Sequence, residues 1–347
     1  VRRETKYHFA SDNTSGLCPE AWQALQEANI GYCPSYGDDW WTQQASDALR
    51  DVFETECDVY FVFNGTAANS LSLASLCQSY HSVIAHESAH IQTDECGAPE
   101  FFSNGTKLLL ASGANGKVNP SIVEHLIHKR QDIHYPKPHV LSLTQPTEFG
   151  TLYYPDEIAA LTSVAHENGL KVQMDGARFA NAVASLGLPP RAITWEAGVD
   201  VLCFGATKAG MSLGEAVVFF DRELSLDFAY RCKQAGQLAS KMRFMAAPWS
   251  ALLRSGDWLR YARNANEQAQ TLAAHVQTIP GIELAHPVEA NAVFLELPAA
   301  VEQYLREQDW QFYSFIGGRA RFMCSWKTQR EDIEALVRDI KVAVSLL

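Results

Sequence analysis

The chain is expected to be an α/β protein, with a large domain built on a mostly parallel sheet flanked by helices and a smaller α/β C-terminal domain. Three observations carry this expectation. From about residue 45 to 220, short apolar runs alternate with amphipathic stretches, the pattern of strands connected through helices. Trp258 to Ile279 then forms one long amphipathic stretch, after which strand-like and helix-like segments shorten. A length of 347 residues, with 47% apolar and 20% charged content, suits about two domains with a sizeable core.

The elements come in order along the chain. Phe9 to Trp22 lacks clear periodicity and reads as part of an N-terminal arm (1–22) that crosses to the other domain or to a neighbouring subunit. Val59-Tyr60-Phe61-Val62-Phe63 is an aromatic and β-branched strand that stops at Asn64-Gly65, and Thr66 to Ala74 continues with helical spacing. His81 to Ala85 and His139 to Thr144 read as further strands. Asp156 to Asn168 is a helix with a capping aspartate and a stop at Gly169, and it leads into the strand Leu170 to Met174, which ends at Asp175. Val201 to Phe204 is another apolar run, with Gly205-Ala206-Thr207-Lys208 directly after it. The large domain (23–250) is expected to end near Pro248-Trp249. The small domain (251–347) adds a strand at Ala292 to Leu297, a helix at Ala299 to Gln308, strand-like Phe312 to Ile316 and Ala320 to Trp326, and a last helix from Thr328.

Charge and cysteine usage narrow the function class. A net charge of -12 and a pI near 5.4, without basic runs, argue against nucleic acid or an anionic membrane as partner. No apolar stretch approaches a membrane span, and the opening lacks the apolar core of a signal peptide, so a cytoplasmic protein is expected. The eight cysteines are scattered without Cys-x-x-Cys spacing, and Cys77, Cys203 and Cys324 lie in apolar segments where a thiol behaves as a small hydrophobe. Neither disulfides nor a cysteine zinc site is expected.

Chemistry enters with Lys208 and Asp175. A strand ending in a lone lysine, partnered by a strand ending in an aspartate, suits pyridoxal phosphate: the amine makes a Schiff base and the carboxylate faces the pyridinium nitrogen. Asn64-Gly65-Thr66-Ala67-Ala68-Asn69 would put backbone N–H groups and a hydroxyl at a helix N-terminus, where a phosphate is favoured. Taken singly these are a turn glycine, a turn aspartate and a surface lysine. Their order, each at a strand end, joins them.

With these residues in view, the chain resembles the low-specificity L-threonine aldolases, fold type I pyridoxal phosphate enzymes of the β-eliminating lyase superfamily. The likeness runs through Phe9-Ala10-Ser11-Asp12, Tyr36-Gly37-Asp38-Asp39, Asn64 to Asn69, Ala89-His90-Ile91, Asp132-Ile133-His134, Asp175-Gly176-Ala177-Arg178, Thr207-Lys208 and Arg321. It implies that Lys208 carries the cofactor, His90 stacks on its ring, Gly65 and Thr66 hold its phosphate, and Asp175 pairs with its nitrogen. Arg178 would contact the cofactor's phenolic oxygen or the substrate carboxylate, Ser11 and Arg321 that carboxylate, and His134 the substrate hydroxyl. Tyr36, Lys233 and Arg243 match positions placed near the phosphate or the subunit interface. The implied reaction is aldol cleavage of L-threonine, L-allo-threonine or a phenylserine-like amino acid to glycine and an aldehyde, with His90, His134 or a water taking the hydroxyl proton. The implied assembly is a homodimer or homotetramer with active sites between subunits. Three departures stand out: Thr144-Gln145-Pro146-Thr147-Glu148 in place of the family's Glu-Asn-Thr-His, Ala239-Ser240-Lys241-Met242-Arg243 in place of a Gly-rich run before Met-Arg, and Trp40-Trp41 in place of the proline after Asp39.

Two alternatives stand beside this reading. Other fold type I enzymes, such as β-eliminating lyases and racemases, share the lysine and aspartate, and the paired histidines favour aldol cleavage among them. His86-Glu87-Ser88-Ala89-His90 matches the zincin pattern of a metalloprotease, but the flank before it reads as a strand, and the stretch Gln92 to Gly97 after it is polar and soon broken by Pro99. No metal site is therefore expected, and the plain reading leaves His86 as a surface histidine.

Overall fold

The computed structural model describes residues 6–314 and 318–347. The helices are α1 (Pro19–Ala28), α2 (Trp40–Phe53), α3 (Gly65–Leu76), α4 (His90–Thr93), α5 (Ala98–Phe102), α6 (Pro120–His128) and α7 (Pro155–Glu167). They continue as α8 (Phe179–Leu186), α9 (Phe228–Gln234), α10 (Arg243–Ser255), α11 (Asp257–Val276), α12 (Ala299–Glu307) and α13 (Arg330–Ser345). The strands of the larger sheet are β1 (Asp58–Val62), β2 (His81–His86), β3 (Lys107–Ala111), β4 (Lys137–Thr144), β5 (Lys171–Gly176), β6 (Val201–Phe204) and β7 (Glu215–Phe219). Those of the smaller sheet are β8 (Glu283–Leu284), β9 (Ala292–Glu296), β10 (Tyr313–Ser314) and β11 (Ala320–Met323).

The larger sheet has the order β1-β7-β6-β5-β4-β2-β3. From β6 through β3 every neighbouring pair is parallel, and β7 runs antiparallel to both β6 and β1. The strands alternate in which face they serve. Val83, Ala85, Val201, Cys203, Val217 and Phe219 pack with α3 and α9, whereas Ile84, Leu202, Phe204 and Val218 pack with the helices of the opposite face. Helix α3 is buried from Ala67 through Ala74. Its small residues let it lie close on the sheet, which sets its N-terminus beside the carboxyl ends of β5 and β6.

The smaller sheet, β10-β11-β9-β8, is antiparallel and shares a core with α11, α12 and α13. Phe9 is buried in that core, 5.7 Å from the Trp310 ring, so the N-terminal arm crosses to the far side within one chain. Helix α1 already begins at Pro19, inside the stretch read as an irregular arm. Pro248 and Trp249 lie buried inside α10, and the chain passes between the two cores along α11, with Trp258 and Tyr261 in the first and Leu272 and Val276 in the second. Pro248 forfeits one N–H in the second turn of α10, and the burial of the residues around it offsets that loss, so the helix continues through it. The strand read at Phe312 to Ile316 is the two-residue β10, and residues 315–317 lie outside the described residues. Among the described residues no helix is long and apolar enough to cross a membrane.

Candidate active site

A cleft of about 320 Å³ opens at the carboxyl ends of β5 and β6, the usual ligand position on such a sheet. Asp175, the penultimate residue of β5, lines it, as do Lys208 on the short turn after β6 and His90 at the start of α4. Gly65 and Thr66 line its other end. Asn64 Oδ1 accepts the Ala67 N–H at 2.9 Å, so the cap occupies one of the free donors of α3 and leaves the first N–H groups beside the cleft. A Cβ at Gly65 would meet nothing within 4 Å, so the space before this helix end is open.

The floor is a buried hydrogen-bond network. Asn69 Nδ2 donates to Asp175 Oδ2 at 2.8 Å and to Glu95 Oε1 at 2.9 Å, and the Ala177 N–H holds Asp175 Oδ1 at 2.9 Å. Gln173 Nε2 donates to Asn69 Oδ1 at 3.0 Å, while its own carbonyl accepts from Ser142 Oγ at 2.6 Å. Both oxygens of Asp175 are thus fixed before any ligand arrives. Glu95 Oε1 lies 2.8 Å from His90 Nδ1, and this bond, against the opposing effect of burial, holds His90 above the ordinary histidine range. Burial raises Glu95 as well, with its bonds to His90 and Asn69 opposing. Cys203 lines the same floor, and burial pushes its thiol up to about 12, which makes it inert packing rather than a nucleophile.

Beside the cleft stands a fork of opposite charges. Arg178 Nε and Nη2 donate to Asp12 Oδ2 and Oδ1 at 2.6 and 2.9 Å, and Asn291 Nδ2 also reaches Asp12, at 3.1 Å. Burial alone would raise Asp12, but Arg178 outweighs it and holds the carboxyl below the usual range. Ser11 is buried next to this pair and caps the turn at Asp12 by accepting the Asn13 N–H at 3.2 Å. Arg321 on β11 is lowered by burial and by the nearby Arg178 charge, which places the two guanidiniums on one side of the site. The fork qualifies the role expected of Arg178: two of its nitrogens face Asp12, leaving Nη1 outside that pair.

Several singled-out residues lie elsewhere. His134 is exposed in the loop before β4, whereas the cleft is at the far end of that strand, roughly 23 Å away at the usual strand rise. In this chain it does not join Lys208, because a residue that precedes a strand lies at its amino end, and the cleft forms at the carboxyl ends of the parallel strands. Lys233 Nζ sits 4.7 Å over the ring of Tyr36, half-exposed, and Arg243 opens α10 with its guanidinium 5.0 Å from Phe244. Gln237, between Lys233 and Arg243, accepts the Phe63 N–H at 2.9 Å, so this segment approaches the Gly65 and Thr66 end of the cleft without lining it. His86 is buried, not on the surface: it closes β2, with Nδ1 2.7 Å from Ser88 Oγ and Nε2 3.0 Å from Gly113 O. His86 and His90 therefore belong to a strand and to a separate one-turn helix, which is not the helical spacing a zincin requires. Asn69, Glu95, Asp12, Glu148 and Glu215 also belong to the site, and none of them was assigned a role from the sequence. A carboxylate five residues after His90 was the one local signal.

This donor set fits pyridoxal phosphate. A helix N-terminus with an open glycine suits the phosphate, Asp175 with both oxygens oriented suits a ring nitrogen, and Lys208 brings an amine to the same cleft.

A profile of the family described as Beta-eliminating lyase matches residues 8–300. The low-specificity L-threonine aldolase of Pseudomonas aeruginosa is 60% identical over 337 residues, covering 97% of each chain. That of a Pseudomonas species is 59% identical over 338 residues, covering 97% of this chain and 98% of its own. Among solved structures, the threonine aldolase of Leishmania major superposes with a TM-score of 0.92 at 27% identity, covering 97% of this chain and 99% of that one. The chain belongs to the β-eliminating lyase family and, within it, to the low-specificity L-threonine aldolases.

Proposed function

We propose that this chain is a pyridoxal phosphate-dependent aldehyde-lyase that cleaves L-threonine, L-allo-threonine or an aryl analogue to glycine and an aldehyde. The observation that carries the reading is that Lys208, Asp175, His90 and the N-terminus of α3 line one cleft. Bound there, the cofactor supplies an aldehyde for an amine and a ring that accepts an electron pair from a bond at Cα.

The chain's own residues do the rest. Lys208 would supply the amine that holds the cofactor. Asp175, immobilised by Asn69 and Ala177, faces the ring nitrogen and favours its protonated form. His90, oriented by Glu95, would cover the ring. Ser11, Arg321 and the remaining edge of Arg178 would fix the substrate carboxylate, and that orientation would select which Cα bond is cleaved. Placing His134 at the substrate hydroxyl requires a second copy of the chain to deliver it. The exposed Phe63 and Tyr36 near the phosphate end support a shared interface there, which sedimentation would test by finding a dimer or tetramer.

The test of the core reading is the visible spectrum with added cofactor, together with aldehyde release from L-threonine. Wild type is expected to show a Schiff-base band and to release acetaldehyde, and Lys208→Ala to lose both. A wild-type protein that stays colourless with pyridoxal phosphate would end this reading.

A further inference from the structure

The structure holds the turn after β4 tightly. The Gln145 N–H donates to Asp175 O at 2.8 Å, and the Gln145 side chain is locked in both directions on the Tyr153 backbone, at 2.7 and 3.0 Å. Thr147 Oγ1 donates to Asn115 O at 3.1 Å and accepts the Phe149 N–H at 3.3 Å, and the Phe149 ring stacks on His286 at 4.3 Å. Glu148 is therefore pinned on both sides. Its own carboxylate has no hydrogen-bond partner among the described residues. The groups that act on it electrostatically are Asp175 on β5, His90 at the start of α4, Arg178 before α8, Lys208 after β6 and Arg321 on β11. The turn that carries Glu148 follows the carboxyl end of β4 and is bonded to the Asp175 backbone, so Glu148 stands beside the site.

The other candidates for the hydroxyl proton are weaker. His134 of this chain lies at the wrong end of β4. His90 is tied through Nδ1 to Glu95, and that bond favours the imidazolium, which donates protons and does not accept them. Burial meanwhile holds Glu148 above the usual carboxylate range, closer to the working pH of a general base.

We propose that Glu148 is the group that accepts the β-hydroxyl proton of the substrate, in place of a histidine. The inference rests on the aldol-cleavage reading. The hydroxyl proton moves to a Glu148 oxygen, and the O–H electron pair becomes the second bond of the product aldehyde. The Cα–Cβ pair stays with Cα, and the cofactor, when bound, would supply the acceptor for it. In the reverse direction the carboxylic acid returns the proton to the aldehyde oxygen.

Glycine provides the test, since it has an α-proton but no β-hydroxyl. With cofactor-loaded enzyme, Glu148→Gln is expected to lower kcat for L-threonine cleavage by about 100-fold or more. Glycine affinity, from spectral titration, and glycine α-proton exchange in D2O, followed by NMR, are expected to stay within about twofold. The acid limb of the kcat profile should vanish in Glu148→Gln, and Glu148→Asp should restore part of the rate. Parallel loss of glycine exchange would assign Glu148 to cofactor positioning and overturn the proposal, as would undiminished threonine cleavage. A wild-type enzyme that exchanges glycine yet releases no aldehyde from any β-hydroxy amino acid would instead sink the aldolase reading itself.

Discussion

Glu215 lines the cleft with Lys208, and its Oε2 accepts the Ala206 N–H at 2.6 Å. Burial pushes its carboxyl up to about 7, with the Ala206 bond and the Lys208 charge opposing. A folded value raised above the unfolded one means that the native state binds the extra proton. Its stabilising contribution is complete below about pH 4.5 and is lost as pH rises through 7, a change on the order of 3 kcal/mol. Glu215→Gln keeps the acceptor for Ala206 and removes the titration. In cofactor-free protein, unfolding free energies from urea titrations should therefore decline less steeply between about pH 5 and 8 in the variant than in wild type. Parallel curves would assign the decline to other carboxyls raised by burial, such as Glu95. Lys208 and Asp175 were legible in the sequence because each comes after an apolar run that dictates a strand end, and His90 through the family resemblance. Their partners were not, because Asn69 meets Asp175 across 106 residues and Arg178 meets Asp12 across 166, contacts that only the packed fold creates.

At the scale of elements, the join between β5 and β6 positions the two groups that define the chemistry. The Gly205 N–H donates to Gly176 O at 2.9 Å, and a Cβ at Gly205 would meet Ala177 O at 2.4 Å and Ala177 Cα at 2.7 Å. These neighbours are backbone, so they cannot swing aside. Gly205→Ala should push the turn that carries Lys208 away from Asp175, costing about 1–3 kcal/mol and weakening cofactor binding together. Thermal melting and equilibrium dialysis with pyridoxal phosphate check the two effects, and wild-type values for both would show that the close approach is dispensable. Of the strands bordering this join, β6 was readable because Val201 to Phe204 is apolar throughout, and β5 because Leu170, Val172 and Met174 alternate with polar residues. The edge strand β3 and the reversed β7 were not read, since β3 is half-exposed and strand direction leaves no mark in a five-residue apolar run. Proline disfavours a helix interior by itself, so the helix through Pro248-Trp249 was not read: the burial of both residues stabilises α10 around it, and burial is a property of the packed fold.

Across the whole molecule, the N-terminal segment ties the two cores together. Phe9 is buried against Trp310 and Phe322, Asp12 joins Arg178 of the large sheet's side to Asn291 of the small one, Gly16 O accepts the Trp326 indole N–H at 2.9 Å, and the Cys18 N–H donates to Gly210 O at 2.8 Å. Asp12 is the charged member of this seam, and removing its charge leaves a buried guanidinium poorly paired. Breaking such a pair costs about 3–5 kcal/mol, with Asp12→Asn near the lower end because one acceptor oxygen remains. The cost has a pH signature. The folded Asp12 lies below its unfolded value of 3.8, so its contribution is present above that value and lost as pH falls through the folded one. The stability gap between wild type and Asp12→Asn should therefore be full at neutral pH and narrow below about pH 4. If the seam also couples the two cores, calorimetry at neutral pH should find one transition in wild type, and a lower, broadened or divided one in Asp12→Asn. An unchanged single transition would mean that α11, which runs through both cores, is enough to unite them without the N-terminal segment.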